Sequence, residues 1–142
     1  MKKNIVRIAA LALVVVMLGA LTACSLFGGG KPSGIYKVKT LDGKAPREYY
    51  KSMAESYGMT FDEYLDAAGL ANSDLDNIMT YTFNDDGTGL MKVSGASYSG
   101  TFTWELDGST LKITGSDGTV TGEYKNDSIT FVNSGTTFVL GK

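Results

Sequence analysis

Histidine is missing from all 142 residues, the single cysteine is Cys24, and thirteen Lys and Arg stand against fifteen Asp and Glu. These counts remove the commonest general base and metal ligand, and with them hydrolysis by a His-activated nucleophile. Carboxylates are the acid–base groups that remain. The densest run, Asn84-Asp85-Asp86-Gly87, fails the twelve-residue calcium-loop pattern. With Gly87 in sixth place, Asn84 and Asp86 fit the third and fifth positions, but Thr82 and Val93 stand where Asp and Glu are required. That run reads as a hairpin turn. A glycosidase-type pair needs two carboxyls facing each other across a cleft, about 5 to 9 Å apart. Glu105 and Glu123 are the strand-borne candidates, and both fall on the polar phase of their segments, opposite Trp104 and Tyr124. The Ser94–Gly100 stretch lacks the strand-to-helix setting of a nucleophile elbow. The sequence therefore predicts no catalytic residue, no metal site, no cofactor and no enzyme.

Aromatic side chains are what is left to recognise something. Tyr36, Tyr81, Phe83, Tyr98, Phe102, Trp104, Tyr124, Phe131 and Phe138 all fall on one phase of alternating segments. If they enclose a cavity, Tyr98, Phe102, Trp104 and Tyr124 are its ligand-binding candidates, because Gly100 and Gly122 would leave space beside them and their hydroxyl and indole N–H groups are polar handles. A formal charge of −2, with no basic face, excludes a nucleic-acid binder.

Location is written at the amino terminus. Lys2, Lys3 and Arg7 precede Ile8 to Leu21, fourteen uncharged residues that form a positive n-region and an h-region too short to span a bilayer. The run ends in Leu21-Thr22-Ala23-Cys24, which resembles the lipobox of bacterial lipoproteins. That resemblance implies cleavage before Cys24 and a diacylglyceryl group on its thiol, so the membrane becomes a partner through a covalent lipid. A lone Cys in an exported chain is otherwise an unexplained thiol. Two acyl chains hold where one holds marginally, at about 0.8 kcal/mol per buried methylene. The expected organisation is a signal peptide over 1–23, the lipidated Cys and a flexible tether over 24–33, and one folded domain over 34–142, on the extracytoplasmic face of the cell membrane. Cleavage removes three of the thirteen basic residues and leaves ten against fifteen acids.

The elements that must position the aromatics are short strands, expected at 34–40, 78–84, 88–94, 97–106, 109–114, 118–125, 127–132 and 136–141. Asp86-Gly87, Asp107-Gly108, Asp117-Gly118, Asn126-Asp127 and Ser134-Gly135 are the tight connections of a meander. Phe102, Trp104 and Leu106 alternate with Thr101, Thr103 and Glu105, and the same pattern recurs down the chain, with Thr as the polar but β-branched outer residue. Two helices interrupt the strands. Pro46 fits a first helical position, with Tyr50, Met53, Ala54 and Tyr57 on one face before Gly58. Thr60 and Glu63 form a capping box, and Phe61, Tyr64, Leu65 and Ala68 share a face before Gly69. Their apolar faces pack either on the outward-phased Ile78, Leu90, Val132 and Val139 or into a barrel mouth.

The expected fold is mainly β: an antiparallel eight-stranded up-and-down barrel, or a strongly curled sheet, with a short two-helix insertion after the first strand. From Gly34 to Leu140 the chain resembles the lipocalin-like domains of small Gram-positive lipoproteins. The similarity rests on Gly34-Ile35-Tyr36-Lys37-Val38, the helical insertion, Phe83-Asn84-Asp85-Asp86-Gly87-Thr88-Gly89, Thr103-Trp104-Glu105-Leu106 and Thr136-Thr137-Phe138-Val139-Leu140. The resemblance bears on architecture; the function expected from the residues is a noncatalytic binding or interaction module, whose partner is a small apolar ligand inside the barrel or an envelope component on its surface, with an envelope hydrolase built on two convergent carboxylates as the further alternative.

Overall fold

A computed structural model describes residues 30–95 and 98–142; the n-region, the h-region, Cys24 and the tether up to Gly29 lie outside the described residues, as does the side chain of Tyr98. The chain divides into two units, Met1–Lys31 and Pro32–Lys142, and the description concerns the second. Its elements are β1 (Gly34–Leu41), α1 (Pro46–Ser56), α2 (Phe61–Ala68), a 3₁₀ segment (Asn72–Asn77), β2 (Met79–Phe83), β3 (Thr88–Val93), β4 (Tyr98–Asp107), β5 (Thr110–Gly115), β6 (Gly118–Lys125), β7 (Ser128–Asn133) and β8 (Thr136–Gly141).

Each strand pairs antiparallel with the next, and β8 returns to β1, so the sheet is a closed barrel rather than a curled ribbon. Closure leaves no unpaired edge to recruit another chain. The seam between β1 and β8 carries a β-bulge: Val38 opposes Leu140 and Thr40 opposes Val139, so Lys39 is the extra residue. A bulge shifts the side-chain phase by one and bends the strand. That is why Tyr36 and Val38 are buried, and then Leu41. The outer face is polar and β-branched as expected. Thr88, Thr103, Thr114 and Thr119 lie side by side across β3 to β6, and the last two share a hydroxyl hydrogen bond of 3.1 Å.

One end of the barrel, the base, holds the start of β1 and the turns β2–β3, β4–β5 and β6–β7. The other end, the mouth, holds the helices and the connections β3–β4, β5–β6 and β7–β8. An eight-stranded interior is narrow enough for side chains to fill. Here a relay of rings fills most of it. Phe83 meets Tyr36, Phe102 and Trp104 edge-on at 5.4, 5.2 and 5.8 Å between centroids. Tyr81 continues from Phe102 at 5.9 Å to Phe131 at 5.9 Å, and Phe131 stacks on Phe138 at 5.1 Å. The Phe102 ring needs Gly89 beneath it, since a Cβ there would lie 2.1 Å from the Phe102 Cζ and 2.5 Å from the Thr82 carbonyl oxygen. Trp104 closes the base, its indole N–H donating to the carbonyls of Asn84 at 3.2 Å and Thr88 at 3.1 Å across the β2–β3 turn.

The helices cap the mouth instead of packing on the outside. Leu65, Leu75 and Ile78 belong to the same buried cluster as the inward-facing barrel residues, with Tyr49, Tyr50 and Phe61 packed against it. Ile78 therefore corrects the outward phase read from sequence: β2 begins at Met79, so alternation does not apply to Ile78, which is 5% exposed. Val132, another outward candidate, is 58% exposed and holds no helix. The Thr60–Glu63 capping box is present, with the Glu63 carboxylate accepting from Thr60 N–H at 2.8 Å and Thr60 Oγ1 accepting from Glu63 N–H at 3.3 Å. Tyr57 departs from its expected buried face. It is 66% exposed, at the C-terminal cap of α1, and stacks on Tyr64.

Two substitutions test the filled interior. Gly89→Ala forces a methyl group into the Phe102 ring and is expected to cost about 1–3 kcal/mol. Trp104→Ala removes a ring and two hydrogen bonds at the base, for about 3–5 kcal/mol. Urea unfolding of the purified protein checks both, and an unchanged midpoint for Gly89→Ala would mean that the ring does not press on β3.

Candidate functional site

The ring relay leaves one sector of the mouth unfilled. Beneath the β5–β6 turn, on the side away from the seam that the helices cover, lies a recess of about 230 Å³. Alternation supplies its floor, because Tyr81, Met91, Phe102, Ile113 and Val120 are inward residues of β2 to β6. Turn chemistry supplies its rim: Ser116 and Asp117 form the two-residue connection between the paired Gly115 and Gly118, with Thr101, Thr119 and Asn133 beside them. Gly100 and Gly115 give the walls no side chain. A Cβ at Gly115 would have only the Thr101 carbonyl oxygen near it, at 4.0 Å, so that wall faces open space.

Two polar groups give the recess its chemistry. Tyr81 is 7% exposed, and its side chain lines the recess. Burial pushes its hydroxyl up to about 12, so it stays neutral and can both donate and accept. Asp117 is the one charged side chain among the described lining residues, and its carboxylate accepts a hydrogen bond of 3.2 Å from Ser116.

The sequence candidates divide between the two ends. Phe102 is on the floor of the recess and Gly100 in its wall. Tyr98 begins β4, two residues before Gly100. Trp104 lies in the packed base instead, with its N–H already satisfied within the chain. Tyr124 also belongs to the base, where it donates to Asp127 at 3.0 Å. Gly122, expected to leave space, is filled by its neighbours: a Cβ there would meet the Thr130 carbonyl oxygen at 2.4 Å and the Phe131 Cβ at 2.8 Å. Sequence reading missed Tyr81 and Asp117 as a pair because they are 36 positions apart, on β2 and a turn, and converge only when the barrel closes. The one available signal was the inward phase of Tyr81.

Other candidates carry less. Glu105 and Glu123 are exposed on β4 and β6, and Glu105 pairs loosely with Lys112 at 3.9 Å. The two form no facing pair in the recess. Asn84–Gly87 is the hairpin turn expected of it, with Asp86 accepting from Thr88 N–H at 3.0 Å and from its hydroxyl at 2.6 Å. Among the described residues no group of three His, Cys, Asp or Glu is placed to hold a metal ion. A groove of about 360 Å³ at the start of α1 is edged by Lys39, Arg47, Glu48 and Asp76, charges of both signs that select no ligand type.

No family model matches the sequence, and no curated protein matches it either. Among solved structures the chain is similar to a DUF4847 family protein from Bacteroides vulgatus ATCC 8482. The identity is 18%, covering 77% of this chain and 92% of that one, with a TM-score of 0.49.

At the base, Asp127 gathers Tyr124, Tyr36 at 3.3 Å and Lys142 at 3.4 Å, and the Lys142 ammonium lies 5.5 Å from the Tyr36 ring centroid. The hydrogen bond from Tyr124, and then Lys142, hold the Asp127 carboxyl below the usual carboxylate range. A carboxylate depressed on folding contributes stability that is complete above its unfolded pKa of about 3.9 and is lost as the pH falls through the lower folded value. Asp127→Asn keeps the positive-φ turn residue and removes the charge. The stability gap between wild type and this variant is expected to shrink from pH 7 to pH 2, as read by denaturant midpoints. A gap that holds constant with pH would show that ionisation of Asp127 is not what ties the base together.

Proposed function

We propose that this chain is an extracytoplasmic lipoprotein, anchored to the cell membrane through a lipid on Cys24, whose barrel is a noncatalytic module that binds a small molecule in the recess at its mouth. The recess carries the reading: apolar at its floor, polar at its rim, and set in a barrel whose remaining interior is packed with rings. Ligand sites combine a mostly apolar concavity with a few placed polar groups, which is the composition here. An apolar cavity of about 150 Å³ suffices for benzene. At about 230 Å³ this one suits a single ring with a short arm. The lipobox and the single cysteine support the anchor. The facing pair of inward carboxylates or the activated nucleophile that hydrolysis would need finds no support in Glu105, Glu123 or Ser94–Gly100.

A second reading places the interaction on the helical cap, favoured by the exposed Tyr57 stacked at 6.0 Å and 18° on Tyr64. An envelope polysaccharide is the partner such an aromatic ledge would take.

Gly115→Val separates the two. A Cβ at this position meets no atom closer than the Thr101 carbonyl oxygen at 4.0 Å, and the valine side chain is expected to occupy the recess. Wild-type protein is expected to bind 2-phenylethanol with a Kd of about 1 mM, seen as saturable NMR shifts of the Met91, Ile113 and Val120 methyl groups, and the variant to lose those shifts while unfolding at an unchanged temperature. Equal shifts in both proteins, or none in either, would remove the recess from the function. For the anchor, Cys24→Ala is expected to abolish incorporation of labelled palmitate in a bacterial host. Continued labelling would place the lipid elsewhere.

A further inference from the structure

The shape of the recess sets a size, and its polar groups set a chemical class. Among the described lining residues there is one carboxylate and no cation. A carboxylate at the edge of an apolar concavity repels anions and pairs with a protonated amine, in a charge-assisted hydrogen bond about twice as strong as a neutral one. The aromatic floor of Tyr81 and Phe102 adds cation-tolerant ring faces. The wider field has the same sign: after residue 30 the chain carries ten Lys and Arg against fifteen Asp and Glu. Cations are steered toward such a domain. Deeper in, Tyr81 is 7% exposed and its side chain lines the floor of the recess. Its hydroxyl can donate to or accept from a ligand atom at that point.

Resting on the binding reading above, we propose that the recess is a site for small primary amines with a single-ring apolar body, the ammonium group paired with Asp117 at the rim and a hydrogen-bonding ring substituent meeting the Tyr81 hydroxyl at the floor. Phe102 and Ile113 hold the ring between them, and the glycine walls give it room.

Three probes of nearly equal size separate this proposal from the reading beneath it: 2-phenylethylamine, 2-phenylethanol and 3-phenylpropionate, titrated into the purified full chain at low salt by NMR. The amine is expected to bind about tenfold tighter than the carboxylate and clearly tighter than the alcohol. Asp117→Asn should bring the amine down to the level of the alcohol and leave the alcohol unchanged. Tyr81→Phe should weaken tyramine about threefold and 2-phenylethylamine little. If the alcohol binds but the amine has no advantage, or keeps its advantage in Asp117→Asn, the amine class is wrong while the recess stands as a site. Equal losses for tyramine and 2-phenylethylamine in Tyr81→Phe would overturn the floor contact. If none of the probes binds, both the proposal and the reading fall.

Discussion

The interior of an eight-stranded barrel must be filled, and in this chain the filling is a continuous contact of rings hinged on Phe83. Edge-on aromatic pairs add about 0.5–1.5 kcal/mol each beyond the area they bury. Three of them converge on Phe83 alone, from Tyr36, Phe102 and Trp104. The strands bearing these rings are β1, β2 and β4, so the contact joins residues far apart in sequence and fixes the curvature of the sheet from inside. Gly89 belongs to the same constraint: β3 gives up its side chain there so that the Phe102 ring can lie against the backbone.

Packing density then falls from base to mouth. At the base the Trp104 indole bonds across a hairpin turn, Pro32 is fully buried, and Tyr36, Tyr124 and Lys142 converge on Asp127. At the mouth two short helices and a 3₁₀ segment cover only the sector near the β1–β8 seam and the first hairpin. The recess is the remainder of that incomplete cover, and its floor is made of the same rings that close the barrel. Occupying it therefore rests on the core itself, and enlarging it would remove contacts that the fold requires.

Much of this was legible because period-two alternation and tight turns are local signals. The strands, the capping box at Thr60 and Glu63, the left-handed Gly69 and the Asn84–Gly87 hairpin could all be read from neighbouring residues. The sequence left three things open, each decided by a contact between distant segments. Barrel closure depends on the register of β8 against β1, and the bulge at Lys39 that moves Leu41 inward has no local signature. The helices found their partner at the mouth, which drew in Ile78. Gly122 looked like space but is the close approach of β6 to Phe131, a distance that only the folded pair defines. The 3₁₀ segment has one local cue, Asp74 accepting from the Ala71 N–H at 2.8 Å, which resembles a helix start too short to stand out. Of the aromatic candidates, Phe102 reached the recess while Trp104 and Tyr124 went to the base, because inward phase says which side of the sheet a residue faces and nothing about height along the barrel.

The placement of Pro32 gives the barrel a direction. Its burial fixes the incoming chain at the base, and β1 then runs eight residues toward the helices, about 26 Å at a strand's rise per residue. The opening thus sits a full barrel length from where the polypeptide arrives. The packed end of the barrel is therefore the one beside Pro32, and the recess lies at the opposite end of the first strand.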